Sequence, residues 1–319
     1  MNRRNFLRAL GISGVMASGV AGCDYSFEDG FFNPCLAALP KHLADHEIVQ
    51  AAWNGIDTTK MWDSHAHLVG VGDGGSGAWV NPQMQSLLHM RQYIQRMFYL
   101  NAGCTEKADK KIDQRYIVRL LQLLAGMRPG AKLLLFAFDY HHNEAGEIIK
   151  DHSTFYLPND YAANIAKLHP QHFEWAASIH PYRKDAVEVL EKALNYGARA
   201  VKWLPAAQGM NPSSHLCDKF FAAMAQHKLP LITHAGEEKA VHGGGAQSFG
   251  NPLLLRRALD HGVRVVVAHC ASLGQDRDLD KGANAAYVNS FDLFSRLMDD
   301  AKYGPLLRGD ISALTQRNR

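Results

Sequence analysis

The chain is expected to be an α/β protein, a TIM-like (β/α)8 barrel whose eighth strand and helix are missing from it. Seven short apolar runs recur between residues 61 and 312, and several are apolar at successive positions, as parallel strands covered on both faces require. Helical patterns with stop signals separate them. Lys202 and His234 are 32 positions apart, and His234 and His269 are 35 apart; each interval holds one strand, one helix and two loops.

Residues 1–22 come first and read as an export signal. "MNRRNFLRALGISGVMASGVAGC" carries Arg3, Arg4, Phe6 and Leu7 and then an apolar stretch too short to span a bilayer. Its twin arginine resembles the signals of the folded-protein export route, and Gly22-Cys23 resembles the lipobox of bacterial lipoproteins. Cys23 would then be the lipidated first residue of the mature chain, which would be exported, periplasmic, and in contact with the membrane only through that anchor. An uncleaved anchor helix is the alternative, and it leaves the compartment unchanged. Residues 23–60 read as a tether and leading segment, and 61–319 as one barrel.

The strands are expected at 61–68, 131–139, 172–180, 197–204, 230–236, 264–271 and 306–312. Residues 185–196 set Val187, Leu190 and Leu194 on one helical face, with Gly197 as the stop. Residues 252–261 begin at Pro252 after Asn251 and end before Gly262. The insertion at 70–130 opens with "GVGDGGSG", continues as helices near 84–99 and 112–127, and should wall the mouth of the barrel. "GGG" at 243–245 should form a pocket edge, and "DRDLD" at 276–280 a solvated loop.

Composition narrows the function. Loss of residues 1–22 removes Arg3, Arg4 and Arg8 and no acidic residue, so the net charge of +3 falls to zero. That gives no electrostatic footprint for nucleic acid. Cys35, Cys104, Cys217 and Cys270 are irregularly spaced and form neither a disulfide framework nor a zinc ribbon, although a single bridge remains open.

Four histidines carry the chemistry. His65 and His67 lie in "MWDSHAHL", His234 in "PLITHAGEE" and His269 in "VRVVVAHCAS", each at the polar end of an apolar run. Alternate residues of a strand share a face, so His-Ala-His aims two imidazoles the same way, while the other two converge from separate strands. Such a set reads as a site for a divalent metal, zinc first among them, which brings the pKa of bound water near 7.

These residues resemble the amidohydrolase superfamily, and within it the amidohydrolase-2 branch. "DSHAHL", "GARAVKWLP", "THAGEE" and "AHCASLG" carry the resemblance across residues 60–319. It implies His65, His67 and His234 as metal ligands, and His269 as a ligand or as a catalytic residue that holds substrate and water. By the same resemblance Lys202 either becomes carbamylated and bridges two metals or contacts the substrate; a lysine snorkelling out of a strand end is the structural alternative. An aspartate ending strand eight should complete the site. Here Asp310, in "LLRGDISAL", falls on strand seven by count, so the last unit is read as missing and the incomplete sheet, with two unpaired edges, as unstable; the alternative is that Asp310 is the metal-site aspartate. Asp139 and His180 are candidates for substrate binding, and Glu237 and Glu238 for orienting His234.

The function expected is hydrolysis of an amide, lactone or ester carbonyl in a small molecule. A non-oxidative decarboxylase on the same metal scaffold is the nearest alternative, followed by a lipid-anchored binding protein without catalysis.

Overall fold

The computed structural model describes residues 33–105, 110–242, 246–282 and 284–314. The export signal, Cys23 and the 243–245 glycines lie outside the described residues. Seven strands form one parallel sheet in the order of the sequence: β1 Trp62–His67, β2 Lys132–Phe136, β3 Phe173–Ala177, β4 Ala200–Trp203, β5 Leu231–His234, β6 Val265–Ala268 and β7 Leu307–Gly309. Each falls inside its expected run. The arrangement is a curled half-barrel of βα units, and an eighth strand is missing from the described residues, as expected. β1 and β7 are the two ends of the order.

Side-chain alternation gives the sheet two apolar faces. Leu134, Phe136, Ala176, Ala200 and Ile232 form a small inner cluster, while Leu133, Leu135, Trp175, Val201, Trp203 and Val265 join the larger core under the helices. Alanines at the inner positions of β3 and β4 let the strands curl around a narrow interior. The outer layer comprises α1 Met90–Ala102, α2 Ile112–Ala125, α3 Asn159–Leu168, α4 Ala186–Asn195, α5 Asp218–Gln226, α6 Arg256–Asp260 and α7 Ser290–Asp299. In α4 the buried residues are Ala186, Leu190 and Ala193, with Gly197 at φ +84° two residues beyond its end. Asn251 caps Pro252–Leu255, but that first turn is a 3-10 turn and the α-helix starts only at Arg256.

The insertion between β1 and β2 is built around one carboxylate. Asp113 accepts from Val71 N (2.6 Å), Gly72 N (3.2 Å) and Ser76 Oγ (2.5 Å), and Asp73 caps α2 through Ile112 N (2.7 Å). The glycine-rich run is therefore a folded support for α2. α1 reaches the loop after β5, where Gln95 Nε2 donates to Lys239 O (2.8 Å) and Tyr99 Oη to Ala240 O, which fits the expected wall at the C-terminal side of the sheet. A disulfide between Cys35 and Cys104 ties the leading segment to the residues after α1. "DRDLD" is not a solvated loop: Asp278 is buried and accepts both Arg296 Nη atoms (2.7 and 2.9 Å), and Asp276 accepts from Ser290 Oγ (2.7 Å).

Candidate metal centre

The histidines gather at the C-terminal ends of the strands. His65 and His67 close β1, His234 closes β5, and His269 follows β6 at φ +56°, with Cys270 (+52°) and Ala271 (+50°) continuing in the same left-handed conformation. Three successive non-glycine residues in this region cost roughly 1–2 kcal/mol each, strain of the kind found at functional sites. Gly236, two residues after His234, has φ +84°, and a Cβ there would lie 2.5 Å from Leu273 O. Only glycine lets the loops after β5 and β6 meet, through Glu237 N to Leu273 O at 2.8 Å.

One nitrogen or oxygen each from His65, His269 and Asp310 lie within 4.8 Å of one another. His65 Nδ1 donates to Asp310 Oδ2 at 2.5 Å, and both side chains are buried. Asp310 directly follows β7, so the count of seven strands holds; the curl of the sheet nonetheless carries the first and last strands to one centre and sets Asp310 against His65, as the alternative reading of this residue had it. His67 joins through His65, with their Nε2 atoms 3.2 Å apart, and His234 packs edge-on to His269 with ring centroids 5.7 Å apart.

The protonation states follow from burial. Burial and the Lys202 charge lower the His65 imidazolium to about 4, against the opposing pull of Asp310. His67 is held well below the usual range by burial, then by His65 and Lys202. Burial acts to raise the Asp310 carboxyl, but His65 and the hydrogen bonds from Ser312 outweigh it and hold the group well below the ordinary carboxylate value. The pair is therefore a neutral imidazole donating to an ionised carboxylate. Ser312 holds the other carboxylate oxygen through its N (2.6 Å) and its Oγ, and it also meets His269, whose Nδ1 lies 2.8 Å from Ser312 O and 2.9 Å from Ser312 Oγ. A proton on His269 Nδ1 satisfies this contact and leaves Nε2 unprotonated.

The donor set fits a divalent metal. His65 spends its proton on Asp310, so its Nε2 lone pair faces His67 Nε2 at 3.2 Å. Two nitrogens at 2.0–2.1 Å from a tetrahedral zinc would be about 3.3 Å apart. Neutral imidazoles with an ionised carboxylate are the ligand states a zinc-type ion requires.

Lys202 enters from β4, 1% exposed, its Nζ 4.7 Å from the centre of the Phe136 ring and without a hydrogen-bond partner in the structure. Burial lowers its ammonium to about 8, with Asp310 and Glu238 partly offsetting that. It shares a small cleft with His67, Phe136, Phe155 and Leu157. The snorkelling alternative is excluded by its burial. Glu238 supports His234 as expected, with Oε2 3.5 Å from Nδ1, while Oε1 accepts from Ala240 N (2.6 Å) and Val241 N (2.8 Å).

Asp139 and His180 belong to a different network. Asp139 accepts from His180 N (2.9 Å) and Arg183 Nη1 (3.2 Å), and His180 uses both ring nitrogens, on Tyr182 N (3.2 Å) and Gln208 O (3.1 Å), with no exposed surface. These bonds tie the loops after β2, β3 and β4 together, and they do not join the histidine centre. Asp310 and Ser312 are the residues that sequence reasoning undervalued; the only signal was the aspartate at a strand end.

Fold and site together define a parallel barrel-type sheet with a metal-ready histidine centre. The amidohydrolase family model matches residues 62–318, and the chain belongs to that metal-dependent family. No curated protein matches the sequence. Among solved structures, an uncharacterized TIM-barrel protein from Bordetella bronchiseptica is 16% identical over 70% of this chain and 68% of its own, with a TM-score of 0.42. A probable 2-pyrone-4,6-dicarboxylic acid hydrolase from Acinetobacter baumannii is 13% identical over 79% and 70%, TM-score 0.43. A 5-carboxyvanillate decarboxylase from Novosphingobium aromaticivorans, solved with manganese, is 14% identical over 60% and 63%, TM-score 0.36.

Proposed function

We propose that the protein is a metal-dependent hydrolase of amide, lactone or ester carbonyls. The observation that carries this reading is the mutual approach of His65, His269 and Asp310. His65 and His67 through their Nε2 atoms, with His234 and His269, would hold one divalent ion, most simply zinc, while Asp310 orients His65. When bound, the metal supplies Lewis acidity and a water of pKa near 7. Asp310 fixes the ring of His65, and Ser312 Oγ links Asp310 to His269, a route by which a proton leaves the centre. Lys202, cationic at neutral pH and shielded from water, offers a counter-charge to a substrate carboxylate or carbonyl. We further propose that the chain is exported and tethered through a lipidated Cys23.

Lys202 also favours a second reading, non-oxidative decarboxylation, because a buried cation stabilises a carboxylate. Metal analysis and product analysis in 18O-water separate the possibilities. Stoichiometric zinc with 18O entering the product supports hydrolysis. Carbon dioxide release without 18O incorporation defeats it, and a protein that keeps no metal at neutral pH favours the binding protein.

A further inference from the structure

Beside the centre lies a cavity of about 1090 Å3 whose lining is mainly apolar, with Asp63, Arg96, Tyr99 and Arg128 among its polar members. It follows β1 from His67 to Asp63, about 13 Å of strand, and continues past Arg128 toward Trp53. Ala66, Leu68 and Leu133 form the sheet side, Leu120 and Leu124 of α2 line it as well, and the largely exposed leading segment from Leu36 to Pro40, held by the Cys35–Cys104 bridge, borders its open side. His67 is the junction. This residue borders both the cavity and the small cleft of Lys202, as do Leu68, Phe155 and Leu157. His67, exposed at the end of β1, thus stands between the two spaces.

A space of this size matches a ligand site rather than a packing defect. Water gains little in it, because ordered water needs two to four polar partners and these walls provide few. The occupant that suits the lining is apolar and elongated, with its polar end at His67.

We infer that the substrate is an amphiphile, a medium- or long-chain acyl amide, lactone or ester, whose carbonyl sits at the histidine centre while its chain runs along β1 beneath α2. The polar end of this inference rests on the hydrolase reading; the apolar end rests on the cavity alone. No chemical step is added to that hydrolysis.

The test uses the full chain loaded with zinc, the fluorescent fatty acid cis-parinaric acid as a probe, and p-nitrophenyl esters from two to twelve carbons. The expected results are saturable one-to-one binding of the probe and a kcat/KM that rises roughly fourfold per methylene before levelling off. Leu120→Trp and Leu124→Trp, two independent ways of filling the cavity, should each weaken probe binding at least tenfold and flatten the chain-length dependence. Turnover that is flat across the series, with no saturable probe binding, overturns the inference and leaves the hydrolase reading standing; a polypeptide segment occupying the cavity would give that result. Saturable binding with no hydrolysis at any chain length supports the cavity's ligand class and overturns the hydrolase reading.

Discussion

Acidification of the metal-free protein should destabilise it, and His65 alone sets a measurable share. Its folded-state pKa of about 4 lies below the ordinary value of 6.5, so the unfolded chain binds a proton that the folded site refuses. Stability is therefore unaffected by this group above pH 6.5 and falls as the pH drops from 6.5 toward 4. At about 1.36 kcal/mol per pKa unit, the loss from His65 amounts to roughly 2 kcal/mol at pH 5 and about 3 kcal/mol at pH 4. Asp310 does not blur this window, because its carboxylate loses its contribution only below its own ordinary pKa of 3.8. His67 and His180, also lowered by burial, add to the total. To isolate His65, urea unfolding of the chelator-treated protein is followed by tryptophan fluorescence at pH 7 and pH 5, alongside His65→Asn, whose amide keeps a donor for Asp310. The variant should lose about 2 kcal/mol less than the parent between those pH values. Equal losses in the two proteins would show that the folded state does not hold His65 neutral, and the ligand-ready reading would fall with it.

Asp310→Asn should lower zinc affinity at least tenfold in competition with a chromophoric chelator, since the amide removes the charge and one acceptor from the cluster. Lys202→Met should raise the stability of the metal-free protein at pH 7 by about 3 kcal/mol in urea melts, the equivalent of lowering an ammonium from 10.5 to about 8, while abolishing turnover. The folded pKa of Lys202 is again the lower one, so the parent protein, unlike the variant, should gain stability as the pH rises from 8 to 10.5. Cys35→Ser with Cys104→Ser opens a loop with a sequence separation of 69 and should cost about 2–4 kcal/mol by the same melts. Asp139→Asn should destabilise by about 3 kcal/mol, by leaving Arg183 short of its buried partner, yet leave KM unchanged; a large KM effect would restore Asp139 to the substrate site.

The strands were legible because each is a short apolar run, and period-two alternation within β2 separates Leu133 and Leu135 outside from Leu134 and Phe136 inside. Helix α5 was harder to see, because its Phe220, Phe221 and Met224 face belongs to a nine-residue stretch beside an equally apolar strand. His65, His67, His234 and His269 were legible as a set, since each ends a strand. His180 and Asp139 lie three residues beyond β3 and β2, where burial and their own hydrogen bonds set them apart from the histidine centre. Asp310 was left between two readings. Its position in the count was right, but the sequence carries no measure of how far seven strands curl.

Burial accounts for more of this centre than any single contact does. The packing that denies His65 and His67 their protons also makes the Lys202 ammonium a stronger acid than usual, while hydrogen bonds hold Asp310 as an anion. A cation other than a proton is what such a cluster stabilises best, because a divalent ion meets unprotonated imidazole nitrogens whose rings an ionised carboxylate backs. Metal affinity and acid stability must therefore share one pH dependence: protons compete for the same lone pairs below pH 6.5. Activity lost on mild acidification should return on restoring neutral pH only when metal is supplied, whereas loss through simple titration of a catalytic base would return without it.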